Sequence, residues 1–327
     1  MKALVTGGGG FLGGAIVRQL VARGDTVRSF ARGAYPELEA LGVGVLRGDL
    51  TDAAAVRRAC EGMDVVFHVA AMAGVWGPRE AFYAANVTGT AHVVAACRAS
   101  GVRRLVFTSS PSVVFDGRDM AGVDESVPYP AHFEAPYPET KAIAERLALA
   151  ANTPELATVA LRPHVIWGPG DPNFTPRLVD RAKAGKLRRI DGPRKLVDGT
   201  YVDNAAEAHL LAADRLEPGS AIAGRAYFIA NDEPIGIWEL AEGILEACDA
   251  PPPTRSVSPT AARLAGAALE GLHRLLRLPG EPLMTRFLAQ ELTTSHWFDL
   301  TAAKRDLGYV PRVSTAEGLR RLAQASR

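Results

Sequence analysis

A tyrosine and a lysine four residues apart are the first candidates for chemistry in this sequence. Tyr137 and Lys141 lie in the segment Tyr-Pro-Glu-Thr-Lys. On a helix this spacing brings both side chains to one face, and a nearby ammonium lowers the pKa of a phenol toward working pH. Such a phenol can donate a proton to a carbonyl or accept one from an alcohol. Taken alone, the pair is weak evidence and fits an ordinary surface contact better.

A serine at the end of a predicted strand offers a second polar group. Ser110 follows the strand-like run at residues 105–107, and parallel sheets form their sites at the carboxyl ends of strands. Its hydroxyl could hydrogen-bond and orient the same carbonyl. Serines that satisfy backbone groups at strand ends are also common, so the inference depends on the other motifs.

A glycine-rich turn near the start of the chain predicts a phosphate-binding loop. It follows a strand-like run, opens a helical pattern and has the spacing G-x-x-G-x-x-G. Glycines there allow a tight turn and a close approach of a pyrophosphate to the helix N-terminus. A Gly-Lys-Ser/Thr ending is missing, which disfavours an ATP-binding P-loop. The expected contacts are Gly7, Gly10, Phe11, Leu12 and Gly13.

The residues after the second predicted strand favour NADP(H). An acid there binds the ribose 2′-hydroxyl of NAD, whereas an arginine accommodates the 2′-phosphate of NADP. This sequence has Ala31 followed by Arg32. We expect Arg32 at the 2′-phosphate, with Arg28 as a weaker candidate, although a solvated surface arginine fits too. Asp49 could accept from the adenine amino group, or it could belong to a helix N-terminus.

Composition places the chain among ordinary globular proteins. Its 327 residues allow a large α/β domain and a smaller lobe. Lys and Arg number 37 against 36 Asp and Glu, without the basic excess typical of nucleic-acid binding. Three distant cysteines support neither a disulfide framework nor a zinc site, and we expect no metal. Neither a signal peptide nor a spanning segment is indicated, so we expect a soluble, cytoplasmic protein.

Alternating strands and helices in the first half predict a doubly wound parallel sheet of the Rossmann type. Strand-like runs lie near residues 3–5, 26–30, 43–46, 64–68, 105–107 and 157–161, and helical patterns near 11–22, 53–60, 90–98 and 138–150. The helix near 53–60 is expected to be capped by Thr51 or Asp52. The runs near 195–202 and 226–229 could return to the sheet. We expect a cofactor domain over 1–168 and about 196–232, and a mostly helical substrate lobe over 169–195 and 233–327.

In this order along the chain, the motifs resemble the extended short-chain dehydrogenase/reductase superfamily. The similarity covers nearly the whole chain and includes residues 68–71, 86–90, 161–163, 167–170 and 201–204. Residues 109–115 are typical of the branch that contains 3β-hydroxysteroid and sterol-4α-carboxylate dehydrogenases. Residues 73–77, 162–171 and 294–299 are similar to bacterial reductases that act on 2-alkyl-3-oxoalkanoates in long-chain olefin biosynthesis.

The resemblance implies reversible, NADPH-dependent reduction of a long-chain 2-alkyl-3-keto acid to the 3-hydroxy acid. Ser110 would polarise the carbonyl, Tyr137 would act as general acid and base, and Lys141 would bind the ribose and shift the pKa of the phenol. The implied cofactor contacts also include Leu50, Ala70 and Pro163. The resemblance further implies a complex with the thiolase-like condensing enzyme and the β-lactone synthetase of that pathway. We also expect a homo-oligomer.

A long-chain keto acid needs an apolar channel and a positive charge for its carboxylate. Candidates for the channel are Trp76, Phe82, Tyr83, Trp167, Phe174 and Trp238, and candidates for the carboxylate are Arg177, Arg194 and Lys195. Residues of these types more often serve as core anchors or solvated charges. His132 and His164 could line a pocket or be structural. The amphipathic segment 261–278 either packs inward as a lobe helix or contacts a membrane surface or partner.

Other functions are consistent with parts of the pattern. A steroid or sterol 3β-hydroxy dehydrogenase would use the same groups in the oxidative direction. A nucleotide-sugar epimerase is disfavoured because such enzymes keep NAD bound and the acid expected near Ala31 is missing. A non-catalytic NADP-binding scaffold is disfavoured because Tyr137 and Lys141 are both present.

Overall fold

The computed structural model describes residues 1–192 and 194–327, which surround a seven-stranded parallel sheet. In chain order the strands are β1 (Lys2–Thr6), β2 (Thr26–Ala31), β3 (Gly44–Arg47), β4 (Val65–His68), β5 (Arg104–Thr108), β6 (Met120–Val123), β7 (Ala157–Pro163), β8 (Ile166–Trp167), β9 (Arg189–Ile190), β10 (Leu196–Val197), β11 (Thr200–Tyr201), β12 (Arg225–Ile229), β13 (Ile235–Gly236), β14 (Ser256–Val257) and β15 (His296–Phe298). The large sheet has the order β12-β7-β5-β4-β1-β2-β3. Its strand order reverses between β1 and β4, where sheets of this kind bind ligands.

Twelve α-helices are present in the described part of the chain. They are α1 (Phe11–Ala22), α2 (Pro36–Ala40), α3 (Ala53–Cys60), α4 (Arg79–Phe82), α5 (Gly89–Ala99), α6 (Pro136–Ala150), α7 (Phe174–Lys183), α8 (Val202–Arg215), α9 (Ile237–Ala247), α10 (Pro259–Leu276), α11 (Arg286–Glu291) and α12 (Thr315–Ala325). Short π-helical turns span Tyr83–Thr88 and Ala303–Leu307, and a 3₁₀ turn spans Pro111–Val114.

Two apolar cores cover the two faces of the large sheet. Successive residues of a strand point to opposite faces, and in β1 the side chains of Ala3 and Val5 belong to one core while Leu4 belongs to the other. Helices α1 and α8 pack against each other on the first face, and α3 packs against α5 on the second. The predicted doubly wound α/β fold is confirmed.

The segment 195–202 does not join the large sheet, which corrects one expectation. Strand β10 lies in a four-stranded sheet between β13 and β15, and β11 pairs with β8. Strand β12 does extend the large sheet, beside β7. The pairing partner of such a short strand is set by residues that are distant in the chain, and the apolar pattern within the segment does not reveal it. Helix α3 is capped by Asp52 and not by Thr51, because the Asp52 carboxylate accepts hydrogen bonds from two backbone N–H groups at 3.0 Å.

The region after residue 233 is mostly helical and contains α9 to α12. Strand β15 of this region pairs with β6, which comes from the first half of the chain. The division into a cofactor domain and a substrate lobe stays a prediction. Within the described ranges, none of the helices combines the length and the apolarity needed to cross a bilayer.

Candidate active site

A cleft of about 890 Å³ opens beyond the carboxyl ends of β1, β4 and β5. It brings together all the residues that the sequence suggested as catalytic or cofactor contacts, apart from the weaker candidate Arg28. These residues are Gly7, Gly10, Phe11, Leu12, Gly13, Arg32, Asp49, Leu50, Ala70, Ser110, Tyr137, Lys141 and Pro163. Their individual roles stay predictions, but their convergence from distant segments makes this cleft the candidate active site.

The glycine turn between β1 and α1 is shaped for close approach of a ligand. Gly7 has a φ of +71°, a left-handed conformation that side chains rarely adopt. A Cβ on Gly13 would lie 2.1 Å from the carbonyl oxygen of Gly7, so the helix can pack this closely only without one. Phe11 and Leu12 form the first turn of α1 and line the cleft. Their backbone N–H groups and the helix dipole suit a pyrophosphate.

Arg32 and Asp49 line the end of the cleft that follows β2 and β3. The pKa of Asp49 is lowered mainly by hydrogen bonds from the backbone and the hydroxyl of Thr51, at 2.9 and 2.7 Å, and also by the charge of Arg32. This end of the cleft therefore carries a guanidinium near a carboxylate that already has two donors.

Two neighbours of this end differ from the sequence expectations. The guanidinium of Arg28 donates to the carbonyls of Ala59 and Glu61 at 2.8 and 2.9 Å and does not line the cleft. The weaker phosphate candidate was therefore wrong. Tyr35, which the motifs did not single out, lines the cleft and lies so close to Gly9 that a Cβ there would be 2.3 Å from its ring. Its position three residues after Arg32 is the feature of the sequence that could have indicated a place at the cofactor cleft.

Tyr137 and Ser110 meet at the cleft from two different elements. Tyr137 lies in the first turn of α6, which begins at Pro136, and Ser110 caps the 3₁₀ turn through a hydrogen bond from the Ser112 N–H at 3.2 Å. Burial raises the pKa of Tyr137 to about 12; a hydrogen bond with Ser110 opposes this shift and the charge of Glu291 adds to it. The phenol is therefore protonated at neutral pH.

Lys141 lies one turn further along α6 with its ammonium buried. Its Nζ donates to the carbonyl oxygen of Thr108 at 2.6 Å and lies 4.3 Å from the centre of the Phe107 ring. Burial lowers the pKa of Lys141 to about 7, while the charge of Glu145 opposes this shift. Burial therefore dominates the pKa of both groups, and the expected influence of Lys141 on the phenol stays a prediction.

A buried ion pair supports the helix that carries these two residues. Glu145 accepts from the guanidinium of Arg162 at 2.6 and 2.9 Å and from the hydroxyl of Tyr129 at 2.6 Å. Although burial alone would raise the pKa of Glu145, Arg162 lowers it. The pair connects α6 to β7 one helical turn after Lys141, so it stabilises the packing of this helix against the sheet.

Asn86 connects the opposite wall of the cleft to α6. Its amide accepts from the backbone N–H of Met72 at 2.7 Å and donates to the hydroxyl of Thr140 at 3.1 Å. Met72 lines the cleft. The motif at residues 86–90 does not by itself indicate this role of Asn86, because its contacts depend on tertiary packing.

Comparisons with known proteins agree with this arrangement. A profile of the 3-beta hydroxysteroid dehydrogenase/isomerase family matches residues 4–259. The chain belongs to this family. It is 54 % identical to the 2-alkyl-3-oxoalkanoate reductase of Stenotrophomonas maltophilia, over 100 % of this chain and 99 % of the relative. It is 50 % identical to the 2-alkyl-3-oxoalkanoate reductase of Shewanella oneidensis, over 98 % of this chain and 85 % of the relative.

A solved structure of similar architecture is the UDP-glucose 4-epimerase of Thermus thermophilus in complex with NAD. It superimposes with a TM-score of 0.76 at 26 % sequence identity, over 100 % of this chain and 99 % of that chain. The family resemblance deduced from the motifs is confirmed.

The aromatic residues proposed for a substrate channel do not lie together in the structure. Phe174 lines the cleft. Phe82 and Trp167 are fully buried, which confirms the interpretation as core anchors. Tyr83 is exposed and contacts the guanidinium of a neighbouring arginine. Trp76 does not line the cleft, and the guanidinium of Arg274 lies 5.2 Å from the centre of its ring.

The basic residues proposed for the substrate carboxylate are all engaged with acids. Trp238, Arg194 and Lys195 line a separate cavity of about 620 Å³ that contains none of the predicted catalytic groups. The ion-pair partners of Arg177, Arg194 and Lys195 are Glu281, Glu239 and Asp119, respectively. Their interpretation as ordinary surface charges fits better than carboxylate binding.

The two histidines considered for the pocket are explained by their surroundings. His164 is buried, its Nδ1 lies 2.9 Å from the carbonyl oxygen of Asp198, and burial lowers its pKa to about 4. His132 is exposed and does not line the cleft. In the part of the chain that the structure describes, the side chains of His, Cys, Asp and Glu form no group of three suited to a metal ion.

Proposed function

We propose that this chain is an NADPH-dependent reductase that converts a long-chain 2-alkyl-3-oxoalkanoate to the 2-alkyl-3-hydroxyalkanoate in bacterial hydrocarbon biosynthesis. The observation that carries the proposal is the convergence of Ser110, Tyr137 and Lys141 in one cleft beside the glycine turn. The choice of substrate is supported by the 54 % identity with a reductase of that name along the whole chain.

The residues of the cleft divide the reduction between them. The nicotinamide, when bound, supplies the hydride that the C3 carbonyl carbon accepts. As negative charge develops on the carbonyl oxygen, the Tyr137 hydroxyl donates its proton to that atom and the Ser110 hydroxyl donates a hydrogen bond. A pKa of about 12 keeps Tyr137 protonated until this step, which suits a proton donor. The ammonium form of Lys141 stabilises the phenolate that remains.

The proposed preference for NADPH is supported by Arg32, whose guanidinium lines the cleft after β2 and could pair with a 2′-phosphate. Replacing Arg32→Ala should lower kcat/KM with NADPH by about tenfold to a hundredfold and change that with NADH little, because a hydrogen bond to a charged group contributes about 1.5–3 kcal/mol. Arg47→Ala, at an exposed position outside the cleft, is the matched control. Equal use of NADPH before and after Arg32→Ala would assign the preference elsewhere.

The proposed setting of the enzyme follows from the family resemblance. We propose that it is cytoplasmic, forms a homo-oligomer and associates with a thiolase-like condensing enzyme and a β-lactone synthetase. Co-purification of the three proteins from a common expression host tests the association.

A second candidate function is a 3β-hydroxysteroid or sterol-4α-carboxylate dehydrogenase, which the description of the matched family favours. An absorbance assay separates the two candidates. It offers NADPH with 2-alkyl-3-keto acids in one arm, and NADP or NAD with 3β-hydroxysteroids and sterol acids in the other. Turnover of steroids without turnover of keto acids would replace the first proposal with the second.

Tyr137→Phe tests the chemical assignment directly. We expect kcat to fall by at least about a hundredfold, because general acid catalysis contributes about 10²–10⁴-fold. NADPH affinity should change little. Tyr83→Phe removes a hydroxyl from an exposed tyrosine outside the cleft and should leave kcat unchanged. Full activity of Tyr137→Phe would refute the role of its phenol.

A further inference from the structure

Helix α10 exposes an apolar face that its own fold leaves uncovered. Its inner side, which includes Ala262 and Gly266, is buried against the segment before α11. At 100° per residue, four leucines lie within one arc of about 120° that begins opposite this inner side. This outer face consists of Leu264, Leu272, Leu275 and Leu276, which are 66, 44, 80 and 57 % exposed. Single exposed leucines are common, but four on one face mark an interaction surface.

Arginines border one edge of this outer face. Arg263 and Arg274 are eleven residues apart, which places both along one edge of the leucine stripe. Residues 251–280 contain four arginines and one acid, a formal net charge of +3. The acid, Glu270, is buried, pairs with Arg286 at 3.0 Å and lies 3.9 Å from the guanidinium of Arg274. The surface is therefore apolar and cationic, and two copies meeting through it would repel each other.

Helix α10 also contacts the segment that carries Trp76, through His273 and Arg274, which lie outside the leucine face. The rings of His273 and Trp76 are 6.1 Å apart, and the guanidinium of Arg274 covers the same indole. Trp76 lies between cleft-lining residues 73 and 81. After the helix, Glu281 pairs with Arg177 of α7 at 3.0 Å, and α7 also contributes Phe174 to the cleft. Helix α10 and the residues that follow it thus contact two segments that also contribute side chains to the cleft.

We propose that the outer face of α10 docks this protein on the surface of an anionic lipid bilayer, with the mouth of the cleft close to the lipid. Leucines bordered by arginines are the pattern of helices that lie in the membrane interface. The positive charge beside the leucines attracts acidic lipid headgroups and repels the same face of a second copy of the chain. The benefit, access to a long-chain substrate held in the bilayer, rests on the proposed function; the docking does not.

Vesicle co-sedimentation tests the docking without cofactor or substrate. The wild type should bind vesicles of equal parts phosphatidylglycerol and phosphatidylcholine, and should bind pure phosphatidylcholine vesicles far less. Binding should weaken in about 1 M salt, where the Debye length is about 3 Å. No binding to the mixed vesicles at low salt overturns the proposal, whereas loss of reductase activity alone would bear only on the proposed function.

Matched variants assign the binding to α10. The triple variant Leu264→Ser, Leu275→Ser and Leu276→Ser should lower the partition coefficient at least about tenfold, because it removes most of the apolar area that lipid would bury. The control triple variant changes exposed apolar residues elsewhere, at Leu41, Leu46 and Val310. Equal losses in both triple variants, or no loss in either, overturn the assignment.

Two measurements keep the outcome decisive. Arg263 and Arg277, the C-cap residue of α10, are both exposed. Arg263→Gln with Arg277→Gln leaves the leucines in place and should lower binding to anionic vesicles, so the proposal stays testable if the leucine variant folds poorly. Light scattering gives the oligomeric state of the wild type and the leucine variant. A smaller assembly in the variant would show that the face joins copies of the chain, and would overturn lipid docking.

Discussion

Tyr137 and Lys141 have pKa values that move in opposite directions for one physical reason. Burial disfavours the charged form of each group, so it raises the pKa of the phenol to about 12 and lowers that of the ammonium to about 7. Both groups therefore tend toward their neutral forms. A neutral phenol is ready to donate a proton, but Lys141 is charged only up to about neutral pH.

The ionisation of Lys141 predicts a pH dependence of catalysis. Because its ammonium form exists below a pKa of about 7, kcat/KM for reduction should fall as pH rises through about 7 and approach a tenfold loss per pH unit above it. Initial rates with NADPH between about pH 6 and pH 9 measure this limb.

Glu291 provides the control for that profile, because burial also raises its pKa to about 7. Glu291→Gln should retain the alkaline decrease if Lys141 causes it. A rate that increases through pH 7, or a limb that disappears in Glu291→Gln, would contradict the assignment to Lys141.

The close packing of α1 on the turn after β1 determines where the first turn of this helix lies in the site. The first turn of α1 can face the cleft because Gly13 lets the helix contact the backbone of Gly7. Any side chain there would push α1 away from the sheet and move the N–H groups of its first turn.

Gly13→Ala should therefore be costly. Its Cβ would lie 2.1 Å from a carbonyl oxygen, and overpacking of this kind costs about 1–3 kcal/mol or more. We expect a lower melting temperature and a weaker affinity for NADPH, measured by thermal unfolding and by fluorescence titration. Gly271→Ala in α10 has open space around the added methyl group and should be neutral or slightly stabilising. Equal tolerance of both substitutions would argue against close helix–sheet packing.

At the scale of the whole molecule, four buried histidines are neutral in the folded protein and become protonated when the protein unfolds in acid. Burial lowers the pKa to about 3 for His68 and His296 and to about 4 for His164 and His209. The unfolded chain binds these protons near pH 6.5. The folded state therefore binds fewer protons than the unfolded state between about pH 4 and pH 6.5, and stability falls as pH falls through that range.

Two buried carboxyl groups act in the opposite direction, since burial raises the pKa of Asp198 and Glu291 to about 7. The four imidazoles outnumber them. We expect the free energy of unfolding to decrease by at least about 1.4 kcal/mol per pH unit below about pH 6. Urea unfolding at several pH values measures this slope. Constant or increasing stability between pH 6.5 and pH 5 would refute it.

Much of the site could be predicted from local patterns. The glycine spacing at residues 7–13, the serine after a strand and the pair Tyr137 and Lys141 each report a backbone geometry that a few neighbouring residues impose. Alternating apolar runs likewise predicted the strands and helices of the large sheet. For these features the relevant interactions lie within one turn or one strand, so the order of residues is enough.

Other features depend on residues that are far apart in the chain. The pairing of β10 with β15, the engagement of Arg28 with α3 and the positions of Trp238 and Phe174 follow from which surfaces meet in three dimensions. The same holds for the pKa of Lys141 and for the leucines of α10, which face outward although their spacing also fits inward packing. Burial and charge pairing are properties of the assembled neighbourhood, and no single segment carries them.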